Sequence, residues 1–303
     1  MRIGIIAMRN EPGSRTLVMP SVVELLRQWG AHVDVIYPDE QSVRLRALQV
    51  EHDLYVLKSE TDLALSMAGA LDAAGAQILN PYAPATMMRD KLVAVRVLQS
   101  AGVPVPETHV TSTPRLLADL LEGGPLAVRS CRASRGNAVQ VVWDAEDLDG
   151  LGDGPLLAQR YDRSDALDRK LYCIGGQLFG VLRRWPARTY EEKLGEAFTI
   201  TPELHDLAMR CGAAFGVDLF GIDLITCDGR PSVVDVKSFP SFKGVPDAAL
   251  RLADYVYSAA SRVLAGEAPV SLTAIYGALR ELRREPDEEA RKRARATKDA
   301  SAA

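Results

Sequence analysis

Short apolar runs alternate with amphipathic segments over the first 85 residues, and this alternation limits the fold more than any other feature of the chain. Two of the amphipathic segments end at Gly30 and Gly75. Glycine most readily takes the positive φ found beyond a helix C-terminus. Strand–helix–strand repetition of this kind predicts βαβ units in a parallel sheet. The predicted strands are residues 2–7, 32–37, 53–57 and 77–79, and the predicted helices are residues 22–29 and 61–74.

The pattern changes after residues 80–84, whose sequence Asn-Pro-Tyr-Ala-Pro is typical of a loop. A helix is predicted over residues 85–100, and the two prolines of residues 103–106 then impose extended backbone. The rest is rich in hairpins, with turns at 175–176 and 228–229. The predicted strands are residues 126–130, 138–143, 156–161, 171–174, 178–183, 220–226 and 232–237, and the predicted helices are residues 202–215 and 246–263.

Composition narrows the class of protein. The chain has 303 residues with 36 Lys+Arg against 40 Asp+Glu, and the net charge of −4 argues against bulk electrostatic binding to nucleic acid or an anionic membrane. No apolar run approaches the roughly 20 residues that span a bilayer. The four cysteines stand singly, which argues against a disulfide scaffold or a zinc cage. We therefore expect a cytoplasmic protein whose partners include neither nucleic acid nor membrane.

The most informative segment is the predicted hairpin over residues 220–240. Its two strands alternate apolar and polar residues, so Asp223 and Asp235 would lie opposite each other at about 4.5–5.5 Å between Cβ atoms. Two carboxylates that close favour a bound cation, and oxygen ligands suit Mg²⁺. The alternative is a solvated sheet face on which the aspartates pair with Lys237 or Arg230, and from the hairpin alone this alternative is favoured.

Three other segments place charged or polar residues at the ends of predicted strands or in loops, where they could bind a ligand. Residues 125–139 form strand, basic loop and strand, which suits a phosphate cover or a basic surface hairpin. Residues 156–162 form an apolar strand that runs into polar residues. The basic run over residues 183–188, followed by Lys193, has interleaved aromatic residues that could contact nucleic acid. In an acidic chain it more economically indicates a pocket for an anionic small substrate or a solvated face.

Taken in order, these features resemble the ATP-grasp superfamily over about residues 1–264. The closest likeness is to the RimK-type glutamate ligases and the inositol trisphosphate 5/6-kinases. Five segments carry the resemblance: Asp90-Lys91-Leu92 with residues 101–108, Pro125-Leu126-Ala127-Val128-Arg129, Gln159-Arg160-Tyr161, Asp168-Arg169-Lys170, and the 220–244 hairpin with its Val-Asp-Val-Lys-Ser-Phe-Pro-Ser-Phe-Lys-Gly sequence.

The resemblance implies a mixed α/β and α+β architecture in three parts. A pre-ATP-grasp βαβ domain would span residues 1–85. An ATP-grasp domain would span residues 86–265, with a lid at about 107–158 and ATP between two α+β subdomains. Beyond the resemblance, the residue pattern and composition predict that residues 266–303 form a C-terminal helix and a charged, disordered tail.

The resemblance also implies a role for individual residues. Gln159, Arg160 and Tyr161 would form the linker strand against adenine, and Asp168 would contact the nucleotide. Arg129 stands where the family has a phosphate-binding Lys. The implied ATP-binding set is Lys91, Arg129, Arg135, Gly136, Gln159, Arg160, Tyr161 and Asp168, and the implied Mg²⁺ ligands are Asp223 and Asp235.

Lys237 stands where the family has a third metal ligand, Asn. An ammonium group has three donors and no lone pair, so charged Lys237 cannot bind Mg²⁺. It would either replace one of two metal ions as a counter-charge for phosphate, or cancel the two carboxylates and leave a degenerate site. Arg129 in place of Lys keeps the charge and can bind phosphate with two donors.

The leading hypothesis is an ATP-dependent carboxylate–amine ligase that acts through an acylphosphate on a small molecule or a peptide. Its catalytic residues would be Arg129, Lys170 and Lys237 for phosphate, with Arg184 or Arg188 for the acceptor carboxylate. Two alternatives stay open: a kinase acting on a polyol or an inositol phosphate, and a catalytically degenerate ATP-binding protein. Homo-oligomer formation is also left open.

Overall fold

The structure is a computed structural model of the whole chain. It describes residues 1–9, 18–132, 139–152, 154–161, 167–227, 230–273, 275–277 and 279. The predicted turn at 228–229, the predicted tail, and two residues of the predicted ATP-binding set, Arg135 and Gly136, lie outside the described residues.

The described residues form thirteen strands and seven α-helices. The strands are β1 (Arg2–Ile6), β2 (His32–Ile36), β3 (Leu54–Leu57), β4 (Ile78–Leu79), β5 (Thr108–Thr111), β6 (Leu126–Ser130), β7 (Gln140–Val142), β8 (Leu156–Arg160), β9 (Leu167–Ile174), β10 (Gln177–Arg184), β11 (Glu196–Phe198), β12 (Leu219–Cys227) and β13 (Arg230–Lys237). The helices are α1 (Val18–Gln28), α2 (Asp62–Ala73), α3 (Tyr82–Arg89), α4 (Lys91–Ser100), α5 (Tyr190–Leu194), α6 (Pro202–Phe215) and α7 (Ala248–Leu264).

The N-terminal region is a parallel four-stranded sheet in the order β2-β1-β3-β4, as the strand–helix alternation predicts. All four residues of β3 are buried. Such continuous burial is typical of a parallel strand covered on both faces. At the end of this sheet the buried Asn80 amide donates to the carbonyls of Leu219 and Ser238, both at 2.6 Å. One side chain thus fixes the N-terminal sheet against β12 and the end of β13.

The single helix predicted over residues 85–100 is wrong. The chain forms α3 and α4 instead, with a break at Asp90, and α3 begins at Tyr82 inside the segment interpreted as a loop. Asp90 has extended backbone, and its carboxylate accepts from the Leu92 and Val93 amides. This N-cap starts a new helix at Lys91, because Asp competes well for the free amides of a first turn.

The remaining strands form two antiparallel sheets. One has the order β5-β8-β6-β7 and the other the order β11-β10-β9-β12-β13. Gly175 and Gly176 have φ of 59° and 86° and make the tight turn between β9 and β10, as predicted. Strands β5 and β11 and helix α5 are not among the predicted elements. The architecture is nevertheless the one expected: a parallel N-terminal sheet beside antiparallel α+β layers.

Two helices cover the five-stranded sheet and the N-terminal sheet. Helix α6 packs its buried residues against the apolar face of the five-stranded sheet, with fully buried Ile275 in the same cluster. Helix α7 lies against α1 and β3, and its buried residues share one core with the N-terminal sheet. In the described part of the chain, no helix is both long enough and apolar enough to cross a membrane.

Candidate functional site

One face of the five-stranded sheet carries an unusual density of charge. The register pairs Asp223 with Lys170 on β9 and with Asp235 on β13, so these three side chains point to the same side. Asp168 lies two residues before Lys170 on β9, Lys237 lies two residues after Asp235 on β13, and both share this face. The opposite face carries the apolar residues that pack on α6. Strand alternation alone therefore separates a charged cleft from a hydrophobic core.

The two central carboxylates are mostly buried and closely paired with cations. Asp223 Oδ1 lies 2.5 Å from Lys170 Nζ, and Asp235 Oδ1 lies 2.6 Å from Lys91 Nζ. The ammonium of Lys237 is 3.6 Å from Oδ2 of each aspartate. Only 19% and 11% of the Asp223 and Asp235 side chains are exposed, so the solvated-face interpretation does not describe this site.

Arg129 reaches this cluster through an irregularity in the hairpin. The register between β12 and β13 shifts after Asp223, so that Leu224 pairs with Val233 and Val234 is left as an extra residue. The free carbonyl of Val234 accepts from Arg129 Nη2 at 2.6 Å, and Arg129 Nη1 lies 3.4 Å from Asp235. The bulge therefore supplies the contact that anchors the guanidinium.

Lys91 is buried and reaches the cluster from the first turn of α4. Its ammonium lies 3.2 Å from the carbonyls of Met88 and Val236, in addition to its ion pair with Asp235. The break at Asp90 is what brings this side chain to the sheet. We call the seven groups Lys91, Arg129, Asp168, Lys170, Asp223, Asp235 and Lys237 the charge cluster.

The pKa directions agree with this geometry. Burial alone would raise the pKa of Asp223, but the ammonium groups of Lys170 and Lys237 outweigh it and lower that pKa. Burial opposes ionisation of Asp235 too, yet Lys91, Arg129 and Lys237 hold its pKa well below the usual range. Asp223 in turn raises the pKa of Lys237. Asp223, Asp235 and Lys237 are thus all held in their charged forms.

The charge cluster forms the floor of a cleft of about 360 Å³. Gln159 and Tyr161 line its other end, where β8 runs out of the four-stranded sheet. The Gln159 amide donates to Thr108 Oγ1 at 2.9 Å, and the Tyr161 ring meets Trp143 edge to face. This end therefore carries an amide and an aromatic ring, while the other end is ionic.

Most of the residues selected from sequence meet in this cleft. Ten of them line it: Lys91, Arg129, Gln159, Arg160, Tyr161, Asp168, Lys170, Asp223, Asp235 and Lys237. Arg184 and Arg188 are exposed and do not line it. Glu60, Arg89 and Trp185 do line it, and the sequence analysis did not select them.

A second set of cations, also not selected as a group, lies on the β10 side of the sheet. Arg183 is the cross-strand partner of Asp168, and its Nη2 donates to the Tyr172 hydroxyl at 2.6 Å. Its Nε–H is buried and has no acceptor among the described residues. We call Arg183, Lys193 and Lys243 the cation cradle.

Backbone contacts hold the cation cradle together. Gly195 packs so closely on β10 that an added Cβ would lie 2.4 Å from the Leu182 carbonyl and 2.7 Å from Arg183 Cγ. Gly244 packs on the same segment, where an added Cβ would lie 2.1 Å from the Leu194 carbonyl. Both glycines have positive φ, so a larger residue would also strain the backbone. Lys193 and Lys243 precede these glycines by two residues and one residue, which brings Lys193 and Arg183 close enough to act electrostatically on Lys243.

The cation cradle has no internal counter-charge. No ion pair joins its three residues to a carboxylate among the residues that the structure describes. The nearby Glu192 accepts from the Arg188 and Thr189 amides as the capping box of α5. Burial, together with Lys193 and Arg183, lowers the pKa of Lys243. Like charges held together without an anion make this a place where an anionic group would bind.

The carboxylates of Asp223 and Asp235 suit one Mg²⁺ ion that binds together with a nucleotide. Mg²⁺ commonly binds through one or two carboxylates together with substrate phosphates. Asp223 and Asp235 can supply such oxygens at the cleft floor. No group of three or more His, Cys, Asp or Glu residues with the geometry of a metal site occurs in the described residues. Lys237 occupies the space between the two carboxylates, so their oxygens do not form an all-protein cage.

Comparison with known proteins identifies relatives of this chain. Residues 88–256 match the family model of the RimK-like ATP-grasp domain. A probable alpha-L-glutamate ligase of Trichodesmium erythraeum is 24% identical over 206 residues, which cover 63% of this chain and 69% of that protein.

Solved structures with the same fold are also found. A RimK domain ATP-grasp protein of Sphaerobacter thermophilus has a TM-score of 0.67 and 21% identity, covering 84% of this chain and 98% of that one. The ATP-grasp ligase PsnB, complexed with a minimal precursor, Mg and ADP, has a TM-score of 0.61 and 18% identity, covering 84% and 96%. These likenesses show the fold and leave the substrate open.

Proposed function

Because the chain belongs to the RimK-like ATP-grasp family, we propose that it is an ATP-dependent ligase that joins a carboxylate to an amine through an acylphosphate. The observation that carries this proposal is the charge cluster, in which four cations and two central carboxylates meet at the floor of one cleft. Such fixed charges are what phosphoryl transfer requires, because the protein contributes mainly positioning and charge neutralisation.

The two ends of the cleft suit the two ends of ATP. Gln159, Arg160 and Tyr161 line the aromatic end, where the adenine ring would lie. Arg129, Lys170 and Lys237 line the ionic end, where the phosphates would lie. Asp168 pairs with Lys170 at 3.2 Å and would hold that ammonium in place. In the same way, Lys91 would hold the Asp235 carboxylate in place through their ion pair.

Asp223 and Asp235 would hold Mg²⁺, which when bound supplies charge neutralisation at the phosphates. The chain's own cations bind and orient the phosphate oxygens from the remaining sides. Since these groups are fixed by ion pairs before the nucleotide binds, little reorganisation would be needed at the moment of transfer.

The reaction has two steps. The γ-phosphoryl group passes to a carboxylate oxygen of the acceptor, a new O–P bond forms, and the bond to the ADP oxygen breaks. The amine then attacks the acyl carbon, phosphate leaves, and the amine proton goes to solvent. Both steps gain from holding the reactants together and correctly oriented in one cleft.

The acceptor would lie between the charge cluster and the cation cradle. The sequence analysis suggested Arg184 or Arg188 for its carboxylate, but their neighbour Arg183 has the side chain on the charged face of the sheet. We therefore add Arg183, Lys193 and Lys243 as the groups that would bind an acidic acceptor, a small molecule or a peptide. A kinase acting on a phosphorylated polyol would use the same cations.

An assay of Mg·ATP with amino acids, short acidic peptides and polyols separates these functions. A ligase releases ADP and phosphate only when a carboxylate and an amine are both present, and hydroxylamine traps its acylphosphate as a hydroxamate. ADP release without free phosphate, on a polyol and without an amine, would identify the kinase. Nucleotide binding with no ADP from any acceptor would identify a non-catalytic ATP-binding protein.

A further inference from the structure

Lys237 is placed on the sheet so that its side chain can reach both central carboxylates. Its cross-strand partner is Gly221, so no side chain stands opposite it on β12. An added Cβ at Gly221 would lie 2.9 Å from Pro240 and 3.2 Å from Tyr172. The gap beside Lys237 is thus part of a closely packed floor. Asp235 lies two residues earlier on the same strand and points to the same side.

The ammonium of Lys237 completes a pattern in which each oxygen of the two central carboxylates faces a cation. Oδ1 of Asp223 lies beside Lys170, and Oδ1 of Asp235 lies beside Lys91. Oδ2 of both residues faces Lys237 at the same distance of 3.6 Å. A single positive charge therefore stands between two carboxylates on adjacent strands, which would otherwise repel each other.

With Lys237 between the two carboxylates, the charge cluster has more positive than negative groups. Four cations stand against three carboxylates, which leaves one net positive charge before any nucleotide or metal is bound. Although 43% of the Lys237 side chain is exposed, its ammonium stays within 3.6 Å of both carboxylates. An ammonium has no lone pair and repels a nearby divalent ion, so it excludes a metal from the position that it fills.

We infer that Lys237 is a built-in cation of the phosphate site, which takes the place of a second divalent ion and limits the cleft to one Mg²⁺ per nucleotide. The inference rests on the proposed function, since it concerns the same cleft. A permanent cation between the carboxylates also lets the cleft hold a polyphosphate chain when no metal is present. Phosphate oxygens would take the ammonium donors that the aspartates leave free.

Two measurements on the full chain test this inference. In the first, AMP-PNP binding is titrated by calorimetry in excess Mg²⁺ and in excess EDTA. The wild type should bind in both, with an affinity loss of about tenfold or less in EDTA, since one charged contact out of several is removed. In the second, electron paramagnetic resonance counts Mn²⁺ bound in the presence of AMP-PNP, and about one ion per nucleotide is expected.

Two substitutions at the same position form a matched pair. Lys237→Met keeps the length of the side chain and removes the charge, so nucleotide binding should become strongly dependent on Mg²⁺. Lys237→Asn removes the charge and adds an oxygen ligand, so a second Mn²⁺ should bind. Arg46→Met removes an exposed positive charge that does not line the cleft and should behave as the wild type in both measurements.

The outcomes separate this inference from the proposed function. Two Mn²⁺ ions per nucleotide in the wild type, or loss of AMP-PNP binding in EDTA, would overturn the inference and leave the proposed function intact. If AMP-PNP does not bind even with Mg²⁺, the nucleotide site itself is wrong and both proposals fail. Equal Mn²⁺ counts for the Asn and Met variants would also overturn the inference, because the position would then not be a metal position.

Discussion

The charge cluster and the cation cradle lie on one sheet but differ in how their charges are balanced. In the cluster, each central carboxylate has a cation within 2.6 Å, and the groups stabilise one another before a ligand binds. In the cradle, three cations lie together with no carboxylate paired to them among the described residues. The comparison supports the proposal that one site is prebuilt, whereas the other would be completed by an acidic ligand.

Removing one carboxylate from the charge cluster should have the largest effect. Asp235→Asn keeps the shape of the side chain but removes its negative charge. It therefore leaves Lys91, Arg129 and Lys237 without their shared anion. ATP turnover should fall about 100-fold, the size of effect expected when fixed charges at a transition state are disturbed. Circular dichroism checks the fold. Asp206→Asn, which breaks a surface ion pair with Arg210 on α6, is the matched control and should change turnover little.

Removing one cation from the cradle should act on the acceptor alone. Lys243→Met should raise the KM for an acidic acceptor about tenfold, the cost of one charged contact, while the KM for ATP stays the same. Steady-state kinetics with each substrate varied in turn measures both values. If the KM for ATP rises as much as the KM for the acceptor, the cradle is not a separate site.

Acid should destabilise the charge cluster. The pKa of Asp235 is lower in the folded chain than its usual value near 4, so the folded state binds fewer protons than the unfolded state. Its stabilising effect is full above that unfolded value and declines as pH falls toward the folded value. Thermal unfolding followed below about pH 5 should therefore show a steeper fall for the wild type than for Asp235→Asn.

Raising the pH should stabilise the fold through Lys243 of the cation cradle. The pKa of Lys243 is lowered, so the protonated side chain destabilises the fold at neutral pH, and this penalty is relieved as pH rises through the folded pKa. The wild type should gain stability relative to Lys243→Met in this range. A bound dicarboxylate should abolish that difference, since it supplies the missing counter-charge.

The smallest change is expected for Arg129→Lys. Lysine keeps the charge near Asp235 but cannot also donate from a second nitrogen to the Val234 carbonyl. Turnover should fall about two- to threefold, as for loss of one hydrogen bond of modest net worth. A loss as large as that of Asp235→Asn would mean that the guanidinium fork is essential to the cleft.

The hairpin of the charge cluster could be predicted from sequence because its information is local. Alternation and a tight turn place Asp223 opposite Asp235 without reference to the rest of the chain. The same reasoning was available for Arg183. The Gly175–Gly176 turn sets the register of β9 and β10, and counting from it puts Arg183, not Arg184, across from Asp168.

The cation cradle and the helix break could not be predicted in the same way. Lys193 and Lys243 are 50 residues apart in sequence, and they come within electrostatic range of each other only because two glycines allow backbone segments to touch. Nothing in the local pattern marks that contact. At Asp90 the apolar periodicity continues through the break, and a short acidic side chain prevails over helix propensity because it caps a new first turn.

The position of α7 has a consequence for how this protein is made. Leu252, Val256 and Ala260 of that helix close the same core as Ile3 and Leu54. A ribosome delivers β1 and β3 long before it delivers α7. The nascent N-terminal sheet therefore keeps an apolar face open until the chain has grown past residue 264, and during that interval it is exposed to aggregation and to chaperones.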